Sequence, residues 1–166
     1  MMLSLPANFD PEERGERAER IFNEGFNCCQ AVVLAFADIL QESFGLSETV
    51  LASMGSGFGG GFGRMREVCG AVSGMTLMAG FIHPASDPSV KSDRAANYAL
   101  VQKFAAAYRE DNGSIVCREL LGISGSGHRE SPVPSDRTPE YYRKRPCGKL
   151  VRFAAVTVAR ELLSAE

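Results

Sequence analysis

The sequence predicts an all-α fold, a single-domain bundle of about six helices with a glycine-rich loop before the central one. Three observations carry that prediction. Capping residues and prolines open one apolar segment after another. Those segments are apolar at helical spacing or around most of their circumference. Alternation of Val, Ile and Thr between turn signals, the mark of strands, is missing. A chain of 166 residues with 45% hydrophobic residues is long enough to bury one core, so residues 1–166 are taken as one domain.

The elements follow in order. Asp10-Pro11-Glu12-Glu13 offers a cap, a proline at the first helical position and acids in the first turn. Apolar residues stay sparse before Ile21 and Phe22, so this helix is expected on the surface, ending at Gly25. Asn27 caps a second helix over about residues 28–42; Val32, Val33, Leu34, Phe36, Ile39 and Leu40 nearly encircle it, as in a buried helix. Ser47 and Glu48 start a short helix over 48–54 that feeds the glycine loop. The fourth helix is expected from about Glu67 to His83, stopped by Pro84, and glycines at 70, 74 and 80 let a neighbour approach. Asp87-Pro88 opens a fifth helix to about Glu110, and Ser114 caps a short segment over 115–121. Residues 122–139, rich in Ser, Gly and Pro, read as a long surface loop, and a last helix runs from Pro146 or Cys147 to Ser164.

The stretch from Gly55 to Gly74 holds eight glycines, Arg64, Arg66 and Cys69. A flexible linker is usually polar, whereas this stretch carries Phe58, Phe62 and Met65, so it reads as an ordered loop delivering Cys69 to a helix start. Net charge is −2 with acids and bases mixed, which gives no field for nucleic acid or an anionic membrane. No apolar run is long enough for membrane insertion, and no leader is legible near the N-terminus, so a cytoplasmic location is expected.

Five cysteines in a reducing compartment are seldom a disulfide framework. Four of them, Cys28, Cys69, Cys117 and Cys147, fall in or beside the first turn of an expected helix, where free N–H groups and the helix dipole favour a thiolate. Local cations agree: Arg64 and Arg66 precede Cys69, Arg118 adjoins Cys117, and Arg143, Lys144, Arg145 and Lys149 surround Cys147.

The motifs Cys28-Cys29-Gln30-Ala31-Val32, Gly57-Phe58-Gly59-Gly60-Gly61-Phe62-Gly63-Arg64, Cys69-Gly70-Ala71-Val72-Ser73-Gly74, Ser114 to Gly122 and Cys147-Gly148-Lys149-Leu150-Val151 occur in one order. In that order the chain resembles the C_GCAxxG_C_C family of redox-active proteins, over about residues 17–163. The resemblance places the family's four cysteines on Cys28, Cys69, Cys117 and Cys147 and leaves Cys29 as an extra, where a small residue is usual. It implies redox activity, and a similar domain in split-Soret cytochromes points to an iron–sulfur site as one use. The chain lacks Cys-x-x-Cys-His, so covalent haem attachment is not supported.

Two chemistries stay open for the four cysteines. They can ligate an iron–sulfur cluster or another thiolate-bound metal, with Gly59, Gly60, Gly61 and Arg64 as the cofactor-binding positions of the loop. They can instead exchange disulfides with Cys69 as nucleophile, an oxidoreductase reading that needs a redox partner not named by the sequence. The alternative is a non-catalytic metal- or partner-binding helical module with structural cysteines. Gly55-x-Gly57-x-x-Gly60 has no strand before it and is not read as a nucleotide site. His83 is read as a helix-end charge, His128 as exposed, and Asp38 with Glu42 as a solvated edge. Phe58 and Phe62 suggest a homo-oligomer.

Overall fold

The computed structural model describes residues 3–123 and 130–165. Among them are nine α-helices: α1 Pro11–Asn23, α2 Cys28–Leu34, α3 Ala37–Phe44, α4 Glu48–Gly55, α5 Gly70–Ile82, α6 Lys91–Asn112, α7 Cys117–Leu120, α8 Pro139–Lys144 and α9 Cys147–Ser164. A 3-10 turn, Ser56–Phe58, follows α4. The described residues form no strand; Val68 and Val116 alone make an isolated antiparallel bridge. The fold is all-α, as expected.

Helix α5 lies at the centre, packed on α2, α6 and α9, while α1 lies along α9. The core between them is formed by Val32, Val33, Met75, Met78, Phe104, Val151 and Val158. Two glycines set how closely these helices meet. A Cβ on Gly74 would stand 2.7 Å from Val32 Cβ, and one on Gly15 would stand 2.5 Å from Val156 Cγ2.

Helix α1 keeps most of its residues at the surface, as expected, and the second contact shows how its inner face is seated. The helix buries Gly15, Ala18 and Phe22, because small residues give it a close seat on α9 without a long apolar stripe. The single helix expected over 28–42 is divided, with the break at Ala35 and Phe36. Buried Arg14 accounts for it: its Nη1 donates to the Ala35 carbonyl at 2.9 Å, and its fork binds Asp38 at 2.6 and 2.8 Å. The carbonyl is thus satisfied by a side chain, and the chain can turn there. Asp38 is therefore a structural ion-pair partner.

Helix ends otherwise follow their caps. Asn27 accepts from the Gln30 N–H at 2.9 Å while Gln30 Oε1 accepts from the Asn27 N–H at 3.0 Å, a complete capping box. Asp87 sits in a turn before α6, accepting from the Ser89 N–H and hydroxyl, so that helix starts at Lys91 rather than near 87. Helix α8 is an addition beyond the long loop, capped by Thr138, with Pro139 in its first turn. Residues 124–129 of that loop, His128 among them, lie outside the described residues. No described helix is long and apolar enough to cross a membrane.

A four-cysteine cavity as the candidate functional site

Every one of the four motif cysteines opens a helix. Cys28, Cys117 and Cys147 are the first residues of α2, α7 and α9, and Cys69 is the N-cap of α5. Two backbone bonds bring the middle pair together: Cys69 N–H donates to Ile115 O at 2.8 Å, and Cys117 N–H to Glu67 O at 2.7 Å. All four cysteines line one cavity of about 40 Å³. Each of the six sulfur pairs among them is close enough for charge on one to be felt by the other.

The glycine loop makes this convergence sterically feasible. Gly60, Gly61, Phe62, Gly63 and Arg64 all have positive φ, between 57° and 69°. A Cβ on Gly61 would meet Cys117 Cβ at 2.6 Å, and one on Gly70 would meet Cys28 Cβ at 3.0 Å. Missing side chains at these points leave room for the sulfurs' own carbons. Of the loop positions assigned to cofactor binding, Gly60 and Gly61 line the cavity. Gly59 instead packs against Asn27, and Arg64 turns to Glu130 and the Ser131 carbonyl, because those partners satisfy it outside the cavity.

The dipole expectation meets a stronger opposing effect, burial. Cys69 is pushed up to about 11 by burial, although the Tyr108 hydroxyl at 3.3 Å and the Ala71 N–H oppose the rise. Cys117 is raised by burial, with Arg66 Nη1, 3.8 Å from its sulfur, pulling the other way. Cys28 is held well above the ordinary thiol value, first by the neighbouring Cys147 sulfur and then by burial. Cys147 alone is lowered, to about 7: the Cys28 thiol comes first, then Arg145, Arg137 and Arg66 working against burial. The lowered thiol is therefore Cys147 and not Cys69. Cys29 is fully buried, pushed up to about 12 by burial, and does not line the cavity.

Three arginines surround the sulfurs. Arg66 is held by Glu130 through Nε at 2.9 Å and Nη2 at 2.6 Å. Arg137 stacks over Phe22 and Tyr141, at 4.7 and 4.9 Å from the ring centroids, and Arg145 lies 4.5 Å from the Tyr141 centroid. The other expected cations turn elsewhere: Arg118 to Glu67, Lys144 to Glu140. Glu130, Arg137, Tyr108 and Tyr141 had no signal in sequence, since each reaches the site from a segment without a cysteine. His83 is exposed. A larger groove of about 690 Å³ between α1, α2 and α4 holds no cysteine and is wide open.

Donor number fits a four-thiolate metal centre; the arrangement does not. Among the described residues no group of three or more His, Cys, Asp or Glu is disposed to hold a metal ion.

A helical bundle that gathers four cysteines from four helix starts, with arginines around them, defines a thiol-centred helical domain. The model of the family described as "Putative redox-active protein (C_GCAxxG_C_C)" matches residues 26–161. The chain belongs to that family. No curated protein and no solved structure matches it.

Proposed function

We propose that the four cysteines form a dithiol–disulfide centre, with Cys147 as attacking thiolate and Cys28 as resolving thiol. The observation that carries this reading is the single cavity that Cys28 and Cys147 line together with the other two cysteines. In the first step Cys147 thiolate attacks one sulfur of a substrate disulfide, the S–S bond breaks, and one substrate thiolate leaves. Cys28 then passes its proton to the thiolate released in the first step and attacks the Cys147 sulfur of the mixed disulfide. The second substrate thiolate departs, and a Cys28–Cys147 disulfide remains. Two electrons have passed from the protein to the substrate, and a dithiol reductant restores the pair by the reverse exchange. Arg66, Arg137 and Arg145 hold the thiolate, while Cys117 and Cys69 stay protonated nearby as a second pair for relay. A cytoplasmic setting, where such reductants operate, goes with this reading. Phe62 and Met65, both exposed on the loop that walls the cavity, offer a surface to the redox partner.

A second reading is favoured by donor count alone: the same four sulfurs would hold an iron–sulfur cluster or another thiolate-bound metal, which would supply electron transfer. One preparation separates the two. Anaerobically purified protein is assayed for iron, zinc and acid-labile sulfide, then oxidised with a small disulfide and digested for peptide mass mapping. Exchange chemistry gives metal-free protein and a Cys28–Cys147 linked peptide. Stoichiometric iron and sulfide, or linkage confined to other cysteines, overturns it.

A further inference from the structure

The arginines carry more positive charge than the thiolate needs. Arg66, Arg137 and Arg145 line the cavity. Glu130 neutralises Arg66 through two hydrogen bonds. Arg137 and Arg145 make no ion pair with a carboxylate among the described residues; Arg64 shares Glu130 with Arg66, and Glu140 is taken by Lys144. Three cations against one carboxylate and the Cys147 thiolate leave one positive charge over.

Arg137 shows where that charge is available. Its guanidinium lies 4.7, 4.9 and 5.8 Å from the Phe22, Tyr141 and Tyr142 ring centroids, and Nη2 donates to the Phe26 carbonyl at 3.3 Å. Its Nη1 is buried and has no hydrogen-bond partner among the described residues. A buried cationic donor left unpaired is expensive, and the three neighbouring rings hold the guanidinium of this half-buried side chain in place. Arg145, stacked on the same Tyr141 ring, brings a second guanidinium to the same cavity.

We propose that the cavity is also an anion seat, in which Arg137 Nη1 and Arg145 bind the carboxylate of a small disulfide substrate. This rests on the exchange reading above and names its substrate class: low-molecular-weight disulfides bearing a carboxylate beside the scissile bond. The volume of about 40 Å³ is close to that of a single water or carboxylate group, so only the anionic head enters. The head is held while Cys147 attacks the adjoining sulfur; the S–S bond breaks, one carboxylate-bearing thiolate leaves and takes the Cys28 proton, and Cys28 then attacks Cys147, releasing the second thiolate. Arg137 is a binding residue here, and its removal also weakens the Cys147 thiolate. The informative quantity is therefore a ratio in which the thiolate fraction cancels.

The test uses reduced full-length protein and two matched pairs of probes. The first pair is 3,3′-dithiodipropionate against neutral bis(2-hydroxyethyl) disulfide, followed by formation of the Cys28–Cys147 bond. The second is iodoacetate against iodoacetamide, followed by alkylation of the Cys147 peptide and referenced to a free small thiol. The wild type prefers the anionic member of each pair by roughly tenfold or more, the size of one charge-assisted hydrogen bond. The preference shows in KM. Arg137→Met collapses it, Arg137→Lys restores part of it, and Arg145→Met, which leaves the Phe22 packing alone, lowers it should Arg137→Met fail to fold. Equal rates for the anionic and neutral probes on wild type overturn the anion seat. If neither disulfide oxidises the pair while iodoacetate keeps its advantage, the exchange reading falls and the seat stands.

Discussion

Replacing Cys28 by alanine tests the electrostatics of the site through a single hydrogen bond. The Cys28 thiol is the leading reason that Cys147 sits at about 7 instead of 9.0. A hydrogen bond to a charged acceptor is worth about 1.5–3 kcal/mol, and one pKa unit about 1.4, so losing this donor raises the Cys147 midpoint by about one to two units. At neutral pH the thiolate fraction then drops from about a half to between roughly a tenth and a hundredth. The assay is the pH dependence of iodoacetamide alkylation, read on the Cys147 peptide by mass spectrometry; a neutral reagent reports thiolate without feeling the arginines. Cys29→Ala, one residue along and outside the cavity, serves as control and leaves the midpoint in place. Coincident profiles for Cys28→Ala and wild type would refute the proposed pairing of these two sulfurs.

Two further outcomes follow from the same geometry. Gly61→Ala forces a methyl to within 2.6 Å of Cys117 Cβ at a φ of +69°, so its denaturant midpoint falls by the equivalent of about 1–3 kcal/mol. Gly57→Ala, with nothing within 4 Å, changes it little; equal effects would contradict the packing described. Stability also declines on the alkaline side. Cys69 and Cys29, raised to about 11 and about 12 from 9.0, add stability that is intact below 9 and lost as pH climbs through those values. Cys147 acts oppositely, its contribution present above 9 and lost as pH falls through about 7. Melting temperatures across this range check both, and a flat alkaline limb would count against the buried thiols.

Helix starts were legible because their signals are local. Asn27 with Gln30, Ser47 with Glu48, and Pro146 before Cys147 announce α2, α4 and α9 within a few residues. The placing of Cys28, Cys69, Cys117 and Cys147 at helix starts was legible for the same reason. Helix α8 could have been found too, since Thr138-Pro139-Glu140 carries a cap, a proline and an acid, but six residues give no apolar period to notice. The break at Ala35 was not readable, because its cause is a guanidinium 21 positions away. Nor was it readable that Cys147 is the thiol held low while Cys69 is raised. Position at a helix end is written in the neighbouring residues, whereas burial and the approach of Arg137 depend on how distant segments pack.

Cys28 and Cys147 begin helices at nearly opposite ends of the polypeptide, and the fold alone makes them neighbours. A covalent link between them would close most of the chain into a ring, and for a loop of about 100 residues chain entropy sets that at roughly 4.7 kcal/mol. Oxidation and resistance to unfolding would then be a single thermodynamic property. A shift in the surrounding thiol balance would then change how long this protein survives.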